Sequence, residues 1–270
     1  FSQAVKGKYR PTQVGEVFGP AWSTHWFRIE ATVPKAWTGS EVHLLWDAGG
    51  EACVWMDGEP LQGLTGTEGA SGRPIRPEFR LLRRARGGEQ ITLYIEFACN
   101  NSFGVGMSWS PMSGQGHLRQ AEIALFDREA WTLLWDFKVI AEMAAELPAD
   151  SPRAGQALAT ANRMVNITDV NDRSTWSLAH DEALIFFAAN NGRKQHRISA
   201  IGHAHIDTAW LWPIAETRRK CIRTFASAVR YMEDYPEYRF ACPQAQQLAW
   251  IREQVPTLYR RIRACVSRGQ

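Results

Sequence analysis

No stretch of this chain approaches the roughly 18 consecutive apolar residues that a membrane-spanning helix requires, so a membrane protein of that kind is excluded. Cys-x-x-Cys pairs are absent. The five cysteines (Cys53, Cys99, Cys221, Cys242, Cys265) are odd in number and widely spaced, which argues against a disulfide framework and for buried small hydrophobes in a reducing, cytoplasmic compartment. Charge of one sign is also lacking. Thirty-one Lys and Arg face 28 Asp and Glu, for a net charge of +3, too small and too dispersed for a nucleic-acid partner. The densest basic run, Arg80 to Arg86, reads as a solvated strand end and turn. No signal peptide is visible, although the sequence starts at Phe1 rather than Met. Two glycosylation triplets, Asn100-Asn101-Ser102 and Asn166-Ile167-Thr168, matter only in a secreted protein.

What is present is a globular composition, with 45% hydrophobic and 22% charged residues over 270 positions. That length suits about two domains of ordinary size. Twelve tryptophans stand out, six of them early: Trp22, Trp26, Trp37, Trp46, Trp55 and Trp109. Aromatics of this density serve sheet cores, and also stack on the apolar faces of sugars.

Three regions follow from periodicity. Up to residue 115, apolar and polar residues alternate in Phe27–Val33, in Val42, Leu44 and Trp46, and in Ile91, Leu93, Ile95 and Phe97. Period two gives strands with one buried and one wet face. Cys53–Met56 runs into a hairpin signal, Asp57-Gly58. Residues 62–77 read as a long loop. Frequent turns between short strands predict an antiparallel β-sandwich over 1–115, of jelly-roll or galactose-binding-like type. Residues 116–196 read as a helical connector. Leu134, Phe137, Ile140, Ala141, Ala144 and Leu147 keep helical spacing up to Pro148. Ser151-Pro152 opens a second helix, and 175–190 form a third, ended by Asn190-Asn191-Gly192.

From 197 to 270 the order is strand (Ile198–Gly202), helix (Ile222, Phe225, Ala226, Val229 and Met232 on one stripe), strand (Tyr238–Cys242) and helix (Pro256–Val266). That alternation is the beginning of an α/β unit with a parallel sheet, incomplete as a barrel.

The chemistry-bearing constellation is Gly202-His203-Ala204-His205-Ile206-Asp207, at the C-terminal end of the first of these strands, where α/β sites are built. Strand periodicity turns His203, His205 and Asp207 to one face, and two imidazoles with a carboxylate suit zinc or a similar divalent ion. A catalytic metal needs about three protein ligands. Trp210 follows at a position suited to the floor of a sugar pocket. Arg218, Arg219 and Lys220 in the first turns of the next helix oppose its dipole, so one of them is expected in an ion pair, with Arg219 at the surface. Gln244, Gln246 and Gln247 stand just past the second strand, where amides bind hydroxyls or cap the next helix.

These residues carry a resemblance. Gly202–Pro213, then Glu216-Thr217, Arg219-Lys220 and Arg223, together with Phe240–Gln247, Trp250 and Pro256, are similar to the start of the catalytic domain of glycoside hydrolase family 38 α-mannosidases, nearest the cytosolic/vacuolar subgroup. Pro243 stands where the family often has Ser. The strong match covers 198–270. The regions before it agree with that subgroup in order, but more loosely.

The resemblance implies a (β/α)-barrel catalytic domain and a retaining exo-α-mannosidase acting on mannose-containing oligosaccharides. It implies a bound divalent metal, zinc or cobalt, ligated by His205 and Asp207 but not by His203, and a Trp210 that stacks on the sugar. It also implies that no catalytic carboxylate lies in these 270 residues, so that Glu216 and Asp234 are not the nucleophile and the chain by itself is inactive. Cytoplasmic localisation, with vacuolar or lysosome-like delivery as the alternative, and a homo-oligomeric full-length enzyme complete these expectations. Two other readings remain open at this level: a metal-dependent hydrolase of amidohydrolase type, which shares the His-x-His after a first barrel strand, and a non-catalytic carbohydrate-binding module built on the sandwich.

Overall fold

Alternating side chains in the first region do form strands. The computed structural model describes residues 1–66, 75–100, 115–189 and 198–270. The chain divides into two units, one made of residues 1–125 with 199–270, the other of 126–198.

The first unit opens with a short helix α1 (Ser2–Val5) and carries strands β1 (Val17–Phe18), β2 (Thr24–Thr32), β3 (Glu41–Asp47), β4 (Glu51–Met56), β5 (Glu59–Thr65), β6 (Glu78–Leu82), β7 (Gln90–Ala98), β8 (Gly116–His117) and β9 (Gln120–Phe126). They build a four-stranded sheet, β2-β7-β4-β5, and a three-stranded sheet, β6-β3-β9, with β1 and β8 as a separate pair. The four-stranded sheet is antiparallel throughout. Its inward residues, Phe27, Val54, Leu64, Leu93, Ile95 and Phe97, meet Val42, Leu44, Trp46 and Phe79 from the other sheet in one core. The sandwich expected over 1–115 therefore continues through β9. The segment expected as a loop over 62–77 still pairs with β4 up to Thr65, and Thr65 bridges Arg76. Residues 67–74, like Trp109, the last two residues of the first glycosylation triplet and the whole Asn190-Asn191-Gly192 helix stop, lie outside the described residues.

Strand β4 departs from the one-wet-face rule. Ala52, Cys53, Val54 and Trp55 are all buried. Ala52 and Val54 face the sandwich core. Cys53 and Trp55 join a second core with Cys221, Phe225, Ala226 and Val229 of helix α5 (Ile214–Asp234). The sheet is thus covered on both faces, which explains why β4 reads as a continuous apolar run. Helix α5 lies against β5 at Gly63, whose backbone N–H donates to Ser227 Oγ at 2.9 Å. A Cβ at Gly63 would stand 3.2 Å from both Cβ and the carbonyl oxygen of Arg223.

The α/β segment comprises β10 (Gly202–His203), α5, β11 (Phe240–Ala241), α6 (Ala245–Gln254) and α7 (Pro256–Ser267). Strands β10 and β11 pair in parallel, Gly202 with Phe240 and His203 with Ala241. Both strands are shorter than the sequence pattern suggests. Among the described residues there is one such parallel pair and no closed barrel.

The second unit is a three-helix assembly, α2 (Arg128–Glu146), α3 (Pro152–Ile167) and α4 (Ser174–Ala188). Asp127 caps α2 by accepting from the Ala130 N–H, and Ser151 caps α3 by accepting from Ala154, with Pro152 in the first turn. Its core uses small residues, Ala157, Ala161, Ala179 and Ala183, around Ile140, Met164 and Phe186, which lets the helix axes approach closely.

Two glycines test this packing in opposite directions. Gly63→Ala should lower stability by about 1–3 kcal/mol, because the atoms it meets are backbone and Cβ of a buried helix and cannot swing aside. Gly155→Ala, at the end of the first turn of α3 with nothing within 4 Å of the added carbon, should raise stability by roughly 0.5–1 kcal/mol. Urea denaturation of the two variants should show midpoints moving to opposite sides of the parent chain.

Candidate active-site loop

Gly202 starts the loop because nothing larger fits there. A Cβ would meet the Tyr238 hydroxyl oxygen at 2.2 Å. Its N–H donates to Arg239 O at 2.8 Å, closing the short parallel ladder. Beyond it the alternation expected from the sequence is kept. His203 and His205 are exposed, while Ile206 between the two polar partners is buried in the core beneath α5. The Ile206 carbonyl accepts from Gln247 Nε2 at 2.9 Å, and Thr208 Oγ1 donates to Gln244 Oε1 at 2.7 Å. The two glutamines also bond to each other. Of the two roles open to these amides, Gln244 and Gln247 tie the loop from behind.

On the open side, His205 Nε2 lies 3.0 Å from Asp207 Oδ1. His203 is turned elsewhere, with its Nδ1 donating to the Ala241 carbonyl at 3.1 Å. Among the described residues, no three His, Cys, Asp or Glu side chains converge as a metal site. The three-ligand set read from spacing is therefore replaced by a pair. That pair fits part of a divalent-metal shell. An imidazole nitrogen and a carboxylate oxygen are the donor types zinc takes at about 2.0–2.2 Å each, so donors 3.0 Å apart are spaced as neighbours around one ion.

The two loop tryptophans differ. Trp212 Nε1 donates to Thr217 Oγ1 at 2.9 Å, and Lys220 Nζ sits 4.7 Å above its ring. Trp210 is 50% exposed, a large apolar ring left facing solvent beside the His205–Asp207 pair in sequence.

Behind the loop, α5 begins in a buried ionic cluster that joins it to the sandwich. Glu216 is fully buried, accepts from Arg219 Nε and Asn100 Nδ2 at 2.9 Å each, and pairs with Arg223. Glu51 on β4 takes Lys220 and Arg223, and Asn100 Nδ2 donates to it at 2.8 Å. Glu96 on β7 lies 3.7–3.8 Å from Arg219 and Arg223. Arg219 is therefore engaged with acids rather than at the surface, and two of the three basic residues, Arg219 and Lys220, are paired, while Arg218 lies over the Trp250 ring. Asn100 is 1% exposed, which removes it as a glycan acceptor in the folded chain. At the other end of α5, Asp234 holds Arg80 at 2.7 Å, Arg83 at 2.6 Å and Arg230 at 3.4 Å, so part of the basic run 80–86 is an anchor and not a solvated end. Glu216 and Asp234 are both committed to cations. Acids on β4 and β7 and an amide after β7 were invisible as partners in sequence. The one signal was the run of cations against the α5 dipole.

The cluster splits its carboxylates electrostatically. Burial works against the Glu51 anion, but Lys220 and Arg223 outweigh it and bring its pKa down to about 2. Burial wins at Glu96, whose pKa is raised despite Arg223 and Arg219. Thiol chemistry is disfavoured. All five cysteines are free, and burial pushes Cys221 up to about 12 and Cys53 well above its ordinary value, far from the thiolate form.

The sandwich is followed by a loop that carries the His205–Asp207 pair at the end of a parallel strand, and both parts have known counterparts. Residues 1–124 match the family model described as alpha-mannosidase, jelly roll domain, and residues 195–270 match glycosyl hydrolases family 38 N-terminal domain. The chain is a family 38 α-mannosidase homologue carrying both domain signatures. It is 46% identical over its whole length to alpha-mannosidase 2C1 of Homo sapiens, covering 26% of that protein. It is 36% identical over its whole length to alpha-mannosidase G of Dictyostelium discoideum, covering 25%. To an alpha-mannosidase of Saccharomyces cerevisiae it is 34% identical over 94% of the chain, covering 24% of the relative. The chain thus spans about a quarter of the length of the curated relatives it matches.

The Glu51 shift sets an acid limit. A carboxylate with a depressed folded pKa contributes stability that is complete above its unfolded value, near 4.5, and is lost as pH falls toward about 2. Glu96, shifted the other way, contributes no loss in that window. Glu51→Gln should destabilise the first unit by about 3–5 kcal/mol near neutrality, since it leaves Lys220 under-compensated. It should also flatten the dependence of stability on pH between 4.5 and 2, measured by denaturant melts at stepped pH.

Proposed function

We propose that the protein is a retaining, divalent-metal-dependent α-mannosidase that releases terminal α-linked mannose from oligosaccharides, and that this chain supplies its jelly-roll domain and one wall of its active site. The observation that carries the reading is the His205–Asp207 pair, 3.0 Å apart on the open end of β10 within the segment matching the family 38 domain. His205 and Asp207 would hold the metal, zinc or cobalt, with Ile206 and the Gln244–Gln247 brace fixing their backbone. When bound, the metal would polarise and orient mannose hydroxyls. Trp210 offers a ring face on which the apolar side of a pyranose would rest, excluding water from one side of the sugar. His203 keeps its Nδ1 proton on the Ala241 carbonyl and braces the two strands.

Retaining hydrolysis needs two carboxyl groups flanking the scissile bond, one as nucleophile and one as acid, then base. The ion pairs of Glu216 and Asp234 support leaving both out of that work. The nucleophile and acid/base would come from the part of the enzyme that relatives carry beyond the matched quarter. Free, buried thiols suit a cytoplasmic enzyme. Of the described helices, none is long and apolar enough to cross a membrane.

In the full-length enzyme, His205→Ala and Asp207→Asn should each lower kcat/KM on an aryl α-mannoside by more than the ~10–100-fold typical of losing an outer-sphere partner, with a parallel fall in metal content by atomic absorption. His203→Ala should retain its metal. The 270-residue chain alone should give no turnover. Undiminished metal and activity in Asp207→Asn would remove the proposed ligand pair.

A further inference from the structure

Away from the loop, the sandwich carries a cleft of about 970 Å³, at the upper end of the ~300–1,000 Å³ typical of small-molecule sites. It runs along β2, the end strand of its sheet, and is also lined by residues 7–12 of the segment that follows α1. Its walls include Tyr9, Arg10, His25, Trp26, Arg28 and Glu30. The cleft is held in shape before any ligand enters. Tyr9 donates its hydroxyl to Ala4 O at 2.9 Å and lies under the Arg28 guanidinium, 5.4 Å away. His25 Nε2 is fixed against Ser23 Oγ at 2.9 Å. Trp26 is backed by Trp55 and Phe1, with ring centres 5.7 and 6.0 Å away.

Two of the three cations in this lining are matched, one by an acid within it and one by Glu16 just outside it. Arg28 pairs with Glu30 at 3.2 Å, and Arg10 with Glu16 at 2.9 Å, while Lys8 adds a further donor. Matched pairs present fixed donors and acceptors side by side with little net charge between them. A polyhydroxy ligand satisfies such a lining, because each hydroxyl both donates and accepts, and the aromatic rings take its apolar C–H faces. A simple anion would have to draw Arg28 from Glu30 and Arg10 from Glu16. An extended peptide adding to the free edge of β2 is disfavoured too, since exposed Arg28 and Glu30 alternate along that strand, the usual protection of an edge.

We propose that this cleft is a second, non-catalytic binding site for a neutral oligosaccharide, separate from the His205–Asp207 loop. That the sugar is mannose-based rests on the proposed function; the existence of the site does not.

Calorimetric titration tests it, using the chain with Asp207→Ala and Trp210→Ala so that binding at the loop is removed. The probes are α-linked mannotriose and, as a second arm, maltotriose. Mannotriose should bind, and Tyr9→Ala or Arg28→Ala added to that background should weaken it by about tenfold or more with the thermal melt unchanged. Arg28 is exposed, so its variant should fold even if Tyr9→Ala does not. Binding of maltotriose alone, still lost on Arg28→Ala, would keep the site and overturn mannose as its ligand. Absence of binding by either sugar, or binding indifferent to both cleft variants, would overturn the site. Displacement of the sugar by an extended peptide would assign the cleft to strand addition instead and likewise overturn it.

Discussion

The structure of the first unit depends on a buried exchange of charge between a sheet and a helix. Lys220 and Arg223 of α5 enter the protein interior only because Glu51 and Glu96 wait on β4 and β7, with Glu216 and Asn100 completing the set. Three cations in the first turns of a helix oppose its dipole, and removing charges from water costs several kcal/mol per ion. Well-packed apolar residues would give as much stability. What the ions add is register. An acid on β4 can meet Lys220 and Arg223 in one setting of α5 along the sheet, and a slip by a turn would strand charges in a dry interface. The apolar contacts of Cys53, Trp55, Phe225 and Val229 supply the gain in free energy, while the ions select where along the sheet it is realised.

That setting bears directly on the His205–Asp207 loop. Trp212 is tied to Thr217 and covered by Lys220, so the loop's C-terminal end is fixed by a residue of the ionic cluster. Its N-terminal end is fixed by the β10–β11 ladder and by Tyr238 over Gly202. Between those anchors, His205, Asp207 and Trp210 face outward from a backbone braced by Gln244 and Gln247. The jelly-roll sheet therefore helps to place the loop without contributing a side chain to it.

Much of this was legible in the sequence where local pattern decides. The β2 and β7 alternation, the Asp57-Gly58 hairpin, the Pro152 helix start and the α5 stripe all follow from spacing within one element, and the structure has them. Spacing put His203, His205 and Asp207 on one face of one short segment, and the family resemblance singled out His205 and Asp207, which the structure holds 3.0 Å apart. What the sequence could not display were relations between distant elements. Glu51 and Glu96 look like ordinary strand acids until α5 is laid across them. Strand β9, placed by pattern among the helices, belongs to the sandwich because β3 has an open side to receive it. His203 matches the metal-site pattern as well as its neighbour, and only the Ala241 carbonyl, 38 positions away, turns its ring aside.

The double-sided burial of β4 also has a consequence in time. Glu51 and Lys220 are separated by 169 positions, and the whole three-helix unit is synthesised between them. At about 5–20 residues per second, the roughly 115 residues from the end of β7 to the start of α5 take on the order of 6–23 seconds to emerge. Until α5 is made, Glu51 and Glu96 lack Lys220 and Arg223 as partners, and Cys53 lacks the helix face that covers it in the finished unit. The face that closes this core is therefore encoded more than a hundred residues after the sheet it covers, with a separate helical unit in between.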